Sequence, residues 1–215
     1  MELGRSVLDY LGSGLAAKET RSMSEKIAHL IARATALLGG TAARAKQLSE
    51  MQTALQELQP EDFEAQAKLS ALGSQSGWEE QEICSQSSFH ISLFLIRRGQ
   101  VLPFHDHPGM TVWLRVLSGS LRIQAADWAE EYPGRGLARL AYDRVVGPAD
   151  EVLILRPKQG NLHCIEALED AAFLDLFSPY YAEDRPCSTF RREANLTLGN
   201  EEFLALIEDP ELDCS

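Results

Sequence analysis

Positive charge is scarce in this 215-residue chain: 20 Lys and Arg stand against 32 Asp and Glu, a formal net charge of −12. Such a surface repels phosphate backbones and anionic headgroups, which argues against nucleic acid and membranes as partners. Cysteine is scarce too. Cys84, Cys164, Cys187 and Cys214 are scattered without a CxxC pair, so neither a disulfide framework nor zinc-finger spacing is present. Long apolar runs are missing, since "ISLFLI" is only strand-sized. The opening stretch, "MELGRSVLDYLGSGLAAKETR", lacks a basic region followed by an apolar core, and Glu2 and Asp9 argue against a mitochondrial transit peptide. These absences point to a soluble protein of a reducing compartment, expected in the cytosol with the nucleus allowed. It is expected to be monomeric, because no heptad seam stands out.

What is present changes character near residue 75. Before it, Ala, Leu, Gln, Glu and Lys dominate and apolar residues recur at helical spacing. Ser22-x-x-Glu25 reads as a capping box, followed by a stripe of Ile27, Leu30, Ile31, Ala34, Leu37 and Leu38 that Gly39-Gly40 ends. A second stripe runs through Ala43, Leu48, Met51, Leu55 and Leu58, and "PEDFEAQAKLSAL" predicts a short third helix with Pro60 near its start. These helices read as cover for a sheet, and His29 on the first is structural. After residue 75, "FHISLFLIRR", "MTVWLRVL", "SLRIQAADW", "LARLAYDRVV", "EVLILRP" and "AAFLDLFSP" read as strands separated by turn signals. Short strands without intervening helices predict a sandwich or barrel. "NEEFLALIEDP" predicts a last helix on the outside. The expected organisation is a helical segment over residues 1–75 and a β-barrel with a C-terminal helix over 76–215, together one compact domain.

Histidine is rare as well, with five in the chain, and two of them fall one residue apart in "PFHDHPG". Strand alternation sends His105 and His107 to one face and Asp106 to the other, where it braces the strand. His163, in "PKQGNLHCIEA", begins another extended piece after a turn at Pro157 and Gly160. Inward residues far apart in sequence meet inside a barrel, so His163 can complete a triangle with the pair. Three neutral imidazoles bind a divalent transition metal and leave other positions open. A lone histidine is more often part of a core or surface, and His90 in "SFHISLFLI" reads as structural on that ground.

Gly99-x5-His105-x-His107 and Pro157-x-x-Gly160-x-x-His163 resemble the two cupin motifs. The fold this implies is mainly β, a double-stranded β-helix of the jelly-roll type, with the N-terminal helices packed outside. The usual cupin glutamate is missing, its place falling at Thr111–Val112. "HDHPGM", with "LRVLSGSLRI" and "AAFLDLFSPYY", is similar to the thiol dioxygenases of the cysteamine dioxygenase and plant cysteine oxidase family, over roughly residues 88–190.

The resemblance implies His105, His107 and His163 as ligands of one Fe(II), with dioxygen delivering both its atoms to a thiol sulfur to give a sulfinic acid. A dipositive ion on three neutral ligands favours an anionic thiolate, and coordination readily deprotonates a thiol whose free pKa is about 8.5. The resemblance places the substrate's neutral amine on the metal as well. It implies as substrate the N-terminal cysteine of a protein or peptide, feeding an oxygen-sensitive arginylation and degradation route, or else a small aminothiol such as cysteamine. Asp175, on one strand face with Phe173 and Phe177, would orient the amine or a histidine N–H; the alternative is an acid paired with buried backbone or an arginine. Tyr181 matches a family tyrosine that positions oxygen or substrate, while Tyr180 departs from the usual proline. Some animal members have a cysteine at the place of Cys187 and a tyrosine two residues on, able to form a thioether. Thr189 stands there instead, so that cross-link is expected to be absent and Cys187 structural. Cys164 alternates to the face opposite His163. Two other readings of the three histidines stay open: a metal-binding cupin module without oxygen chemistry, and a zinc hydrolase.

Overall fold

The computed structural model describes residues 24–39, 44–73 and 77–212. Among the described residues three α-helices come first: α1 (Glu25–Leu38), α2 (Arg44–Gln56) and α3 (Ala65–Ala71). Ser24 caps α1, its hydroxyl accepting from the Ile27 N–H at 3.2 Å; Ser22, the expected cap, lies outside the described residues, as does Ala43. The helix expected from Pro60 is broken in two. The Asp62 carboxylate accepts from the Gln59 N–H at 2.9 Å, which closes a 3₁₀ turn over Pro60–Phe63. Glu64 then takes a left-handed φ of 52° before α3 begins.

Eleven strands follow among the described residues: β1 (Trp78–Gln86), β2 (Phe89–Ile96), β3 (Val101–His105), β4 (Thr111–Ser118), β5 (Leu121–Tyr132) and β6 (Arg135–Val146), then β7 (Leu153–Leu155), β8 (Leu162–Ala167), β9 (Ala171–Ser178), β10 (Thr189–Leu198) and β11 (Glu201–Glu208). One antiparallel sheet has the order β1-β2-β9-β4-β7. The other, β10-β11-β6-β5-β8-β3, closes on itself as a barrel. The architecture is mainly β, as expected, with the helices on the outside.

Strand alternation decides where the helices go. The five-stranded sheet turns Ile91, Leu93, Trp113 and Leu174 toward Leu30, Met51, Leu55 and Phe63 of the helical layer. It turns Phe94, Val112, Leu114 and Phe173 the other way, to meet Leu102, Ile123 and Ile165 of the closed sheet. Each such side chain contributes about 1.5–3 kcal/mol by leaving water. Polar contacts fix the helical layer. The Trp113 indole N–H donates to the Leu48 carbonyl at 3.3 Å, and the Val152 N–H donates to the Gln56 amide oxygen at 3.0 Å. No helix among the described residues is long and apolar enough to cross a membrane.

The expected C-terminal helix is instead strand β11. Its pattern suits a helix in isolation, but β10 and β6 each offer an unpaired edge, and β11 pairs with both. A helix there would leave two rows of backbone groups open, and edge pairing outweighs a helix propensity worth only tenths of a kcal/mol per residue. Leu204 and Leu206 are buried on the inside of the closure with Phe104 and Phe190.

Candidate metal centre

β3 ends at His105, so His107 lies just beyond the strand rather than within it. Its direction is set by the loop instead of by alternation. The Met110 N–H donates to the His107 carbonyl at 3.0 Å, closing a turn in which Gly109 has φ of 71°. Glycine takes that conformation without a steric cost, which explains the Pro-Gly after the histidine. Asn161 clamps the His107 backbone from the other side: its amide oxygen accepts from the His107 N–H at 2.9 Å, and its NH₂ donates to the His107 carbonyl at 2.8 Å. Asp106 points away from its neighbours and accepts from the Ser188 N–H at 2.9 Å.

His163, on β8, stands opposite His105 in the antiparallel register of β3 and β8. The ring centroids of His105, His107 and His163 are 4.3 to 5.0 Å apart, and one nitrogen from each lies within 4.8 Å of the others. Burial pushes all three imidazoles below their ordinary pKa, and for His107 and His163 a neighbouring histidine adds to the shift. They are therefore neutral at pH 7, as metal ligands must be.

The tautomers follow from the partners. His105 donates Nδ1–H to the Pro103 carbonyl at 2.8 Å, leaving Nε2 as a lone pair. Tyr181 lies 3.0 Å from the Asp106 carbonyl and 2.5 Å from His107 Nδ1. The carbonyl can only accept, so the phenol donates to it and accepts from His107 Nδ1–H, again leaving Nε2 bare. His107 Nε2 and both ring nitrogens of His163 are buried without a hydrogen bond of good geometry, although the Asn161 backbone partly offsets the His163 shift. Buried imidazole lone pairs facing one another are costly unless they ligate something. The donor set fits a divalent transition metal: three neutral nitrogens and no carboxylate.

A cavity of about 70 Å³ opens beside His105 and His107. Asp175 lines it, and so do Tyr180, Tyr181, Phe177 and Cys187. Both residues that the resemblance places beside the substrate, Asp175 and Tyr181, thus share a cavity wall with His105 and His107. Tyr181 reaches His107 itself. Asp175 is 3% exposed, its Oδ1 has no partner, and burial, reinforced by Glu80, holds its carboxyl well above the ordinary range. Cys187, expected to be structural, is on the cavity wall, because the segment before β10 folds back along the loop that carries His107. Cys164 joins the separate core of the closed sheet, as alternation requires, and burial lifts its thiol to about 11.

Sequence reasoning missed Asn161 and Glu80. Asn161 is two residues before His163, and its position between a turn glycine and a ligand is the one available signal. Glu80, also on the cavity wall, belongs to a strand the sequence did not reveal.

A family model described as PCO_ADO matches residues 45–208. Plant cysteine oxidase 1 of Arabidopsis thaliana is 36% identical over 114 residues, covering 50% of this chain and 38% of that protein. The 2-aminoethanethiol dioxygenase of Homo sapiens is 32% identical over 139 residues, covering 51% of this chain and 50% of that protein. The chain thus spans half or less of the length of these two relatives. Among solved structures, KdgF from Halomonas sp. matches at a TM-score of 0.38 with 20% identity, over 52% of this chain and 86% of that one. A Klebsiella pneumoniae protein with a double-stranded β-helix domain matches at 0.41 with 15% identity, over 54% and 87%.

Proposed function

The chain belongs to the PCO_ADO family, and from that premise we propose that it is an Fe(II)-dependent thiol dioxygenase acting on the N-terminal cysteine of a protein or peptide. The observation that carries the reading is the set of three buried, neutral imidazoles with one nitrogen of each within 4.8 Å of the others, two of them, His105 and His107, on the wall of a cavity that Asp175 and Tyr181 also line. Iron supplies dioxygen activation there; the protein's own part is to hold and shape. His105 and His107 are locked in the ligating tautomer by Pro103 and Tyr181. Phe94, Leu102, Ile165 and Phe177 exclude water from the thiol. The net reaction joins one thiol and one dioxygen to give a sulfinic acid, both oxygen atoms going to sulfur.

A second reading, oxidation of a free aminothiol such as cysteamine, is favoured by the size of the cavity. About 70 Å³ holds a thiol and its adjacent amine but little more. An N-terminal cysteine enters the same space only if the rest of the peptide stays outside. The test is incubation of iron-loaded protein under air with a Cys-initiated peptide, cysteamine and free cysteine, followed by mass spectrometry. A gain of two oxygen atoms on the peptide supports the first reading, and a gain on cysteamine alone supports the second. No gain on any thiol, with iron bound, refutes both.

A further inference from the structure

Strand β2 is buried over its whole length, yet its inner face carries two polar residues, His90 and Ser92. Polar groups at such a place lower stability unless hydrogen bonds offset their desolvation. These form a directed chain. A Glu80 carboxylate oxygen lies 2.5 Å from the Ser92 hydroxyl and can only accept, so Ser92 donates to it. Ser92 in turn accepts from His90 Nε2–H at 2.9 Å. The His90 ring is stacked on Tyr180, with centroids 3.9 Å apart and planes 12° from parallel. The result is a carboxylate held in one place on the wall of the metal cavity.

Ser92 also stands opposite Asp175 in the register of β2 and β9. Glu80 and Asp175 therefore flank one serine and line the same cavity as His105 and His107. Asp175 is almost wholly buried with an unpartnered oxygen. Among the described residues no lysine or arginine lines this cavity. Two carboxyls without a protein cation, in a space of about 70 Å³, match a small cation with N–H donors.

We propose that Glu80, held by Ser92 and His90, determines specificity by binding the protonated amine of the substrate together with Asp175. The proposal rests on the aminothiol reading above for the nature of the ligand. It differs from the neutral, metal-held amine that the family resemblance implies: the ammonium stays on the carboxyl side of the cavity, and the thiol alone faces the histidines. A neutral thiol of equal size gains nothing from the two acids. A thiol with a carboxylate beside its amine meets like charge.

Anaerobic calorimetric titration of cysteamine and of 2-mercaptoethanol into the iron-loaded protein reads binding without turnover. Glu80→Gln keeps an acceptor for Ser92 and removes only the charge. The variant is expected to bind cysteamine roughly tenfold more weakly or worse, the worth of one charged hydrogen bond, with 2-mercaptoethanol unchanged. Ser92→Ala, which frees Glu80 without removing its charge, is expected to narrow the preference for cysteamine. Equal weakening of both thiols by Glu80→Gln, or no change in either, overturns the proposal. A parent protein that prefers cysteamine but oxidises no thiol under air retains the ammonium site and loses the dioxygenase. A parent that oxidises thiols without preferring cysteamine over 2-mercaptoethanol loses the ammonium site and retains the dioxygenase.

Discussion

One proton on one phenol organises the metal-facing side of His107. Because the Tyr181 hydroxyl is committed to the Asp106 carbonyl, it offers His107 only a lone pair, and Nδ1 must carry the hydrogen. Tyr181→Phe removes that acceptor and leaves the His107 tautomer unset. The fold should persist, since Tyr181 is only partly buried beside its core. Metal affinity is expected to fall by about 10- to 100-fold, the usual effect of removing a group that orients a ligating histidine. Titration of metal into the metal-free variant checks this; parent-like affinity would show that the hydroxyl does not set the tautomer. The three candidate ligands were legible in the sequence because the HxH pair and the Pro-Gly-His motif are short local patterns, although the loop after β3, and not strand alternation, turns His107 toward the other two. Tyr181 was legible as a pocket residue but not as the partner of His107, since that contact spans 74 positions and depends on how the segment after β9 turns back.

Turns decide which elements the sequence announces. Gly99 and Gly119, both visible as punctuation around the metal motif, have φ of 82° and 74°. They differ in what surrounds them. A Cβ at Gly99 would meet nothing within 4 Å, whereas one at Gly119 would lie 2.3 Å from the Asp170 carbonyl oxygen and 2.8 Å from Ala171 Cα. Gly99→Ala is therefore expected to cost about 1–2 kcal/mol, the left-handed penalty alone. Gly119→Ala adds a clash with backbone that cannot rotate away, about 3 kcal/mol or more in total. Urea denaturation separates the two, and equal losses would contradict the packing described for Gly119. β2, β4 and β9 are buried on both faces or nearly so, and their apolar runs are plain in the sequence. β1 has no fully buried position and β10 is largely exposed, and both are polar, so they carry no such run. β11 reads as a helix because Glu, Leu and Ala favour one locally, and the two edges that pull it straight lie in β6 and β10.

At the scale of the whole molecule, the five-stranded sheet packs against the helices on one face and the closed sheet on the other. The outer face of β2, β4 and β9 belongs to the helical core and the inner face to the core around the metal cavity. A charge at the centre therefore acts on global stability rather than on local fraying. Asp175 sits there, on an inner face, with its carboxyl pushed well above 3.8 by burial and then by Glu80. A carboxyl raised in this way keeps its proton in the fold at pH values where the unfolded chain has released it. The fold then binds more protons than the unfolded state, and stability falls as pH climbs from about 4 through the raised pKa. Asp175→Asn removes this liability. In the metal-free protein the variant is expected to be about 1–3 kcal/mol more stable than the parent at pH 7, with the difference shrinking toward pH 4. Chemical denaturation at the two pH values, followed both by tryptophan fluorescence and by far-ultraviolet circular dichroism, checks the prediction. Coincident transitions are expected from both probes, because Trp113 and the helices unfold from one core. A variant less stable than the parent at pH 7 would mean that Asp175 is ionised and paired in the fold, so that the acid stabilises the protein without its substrate.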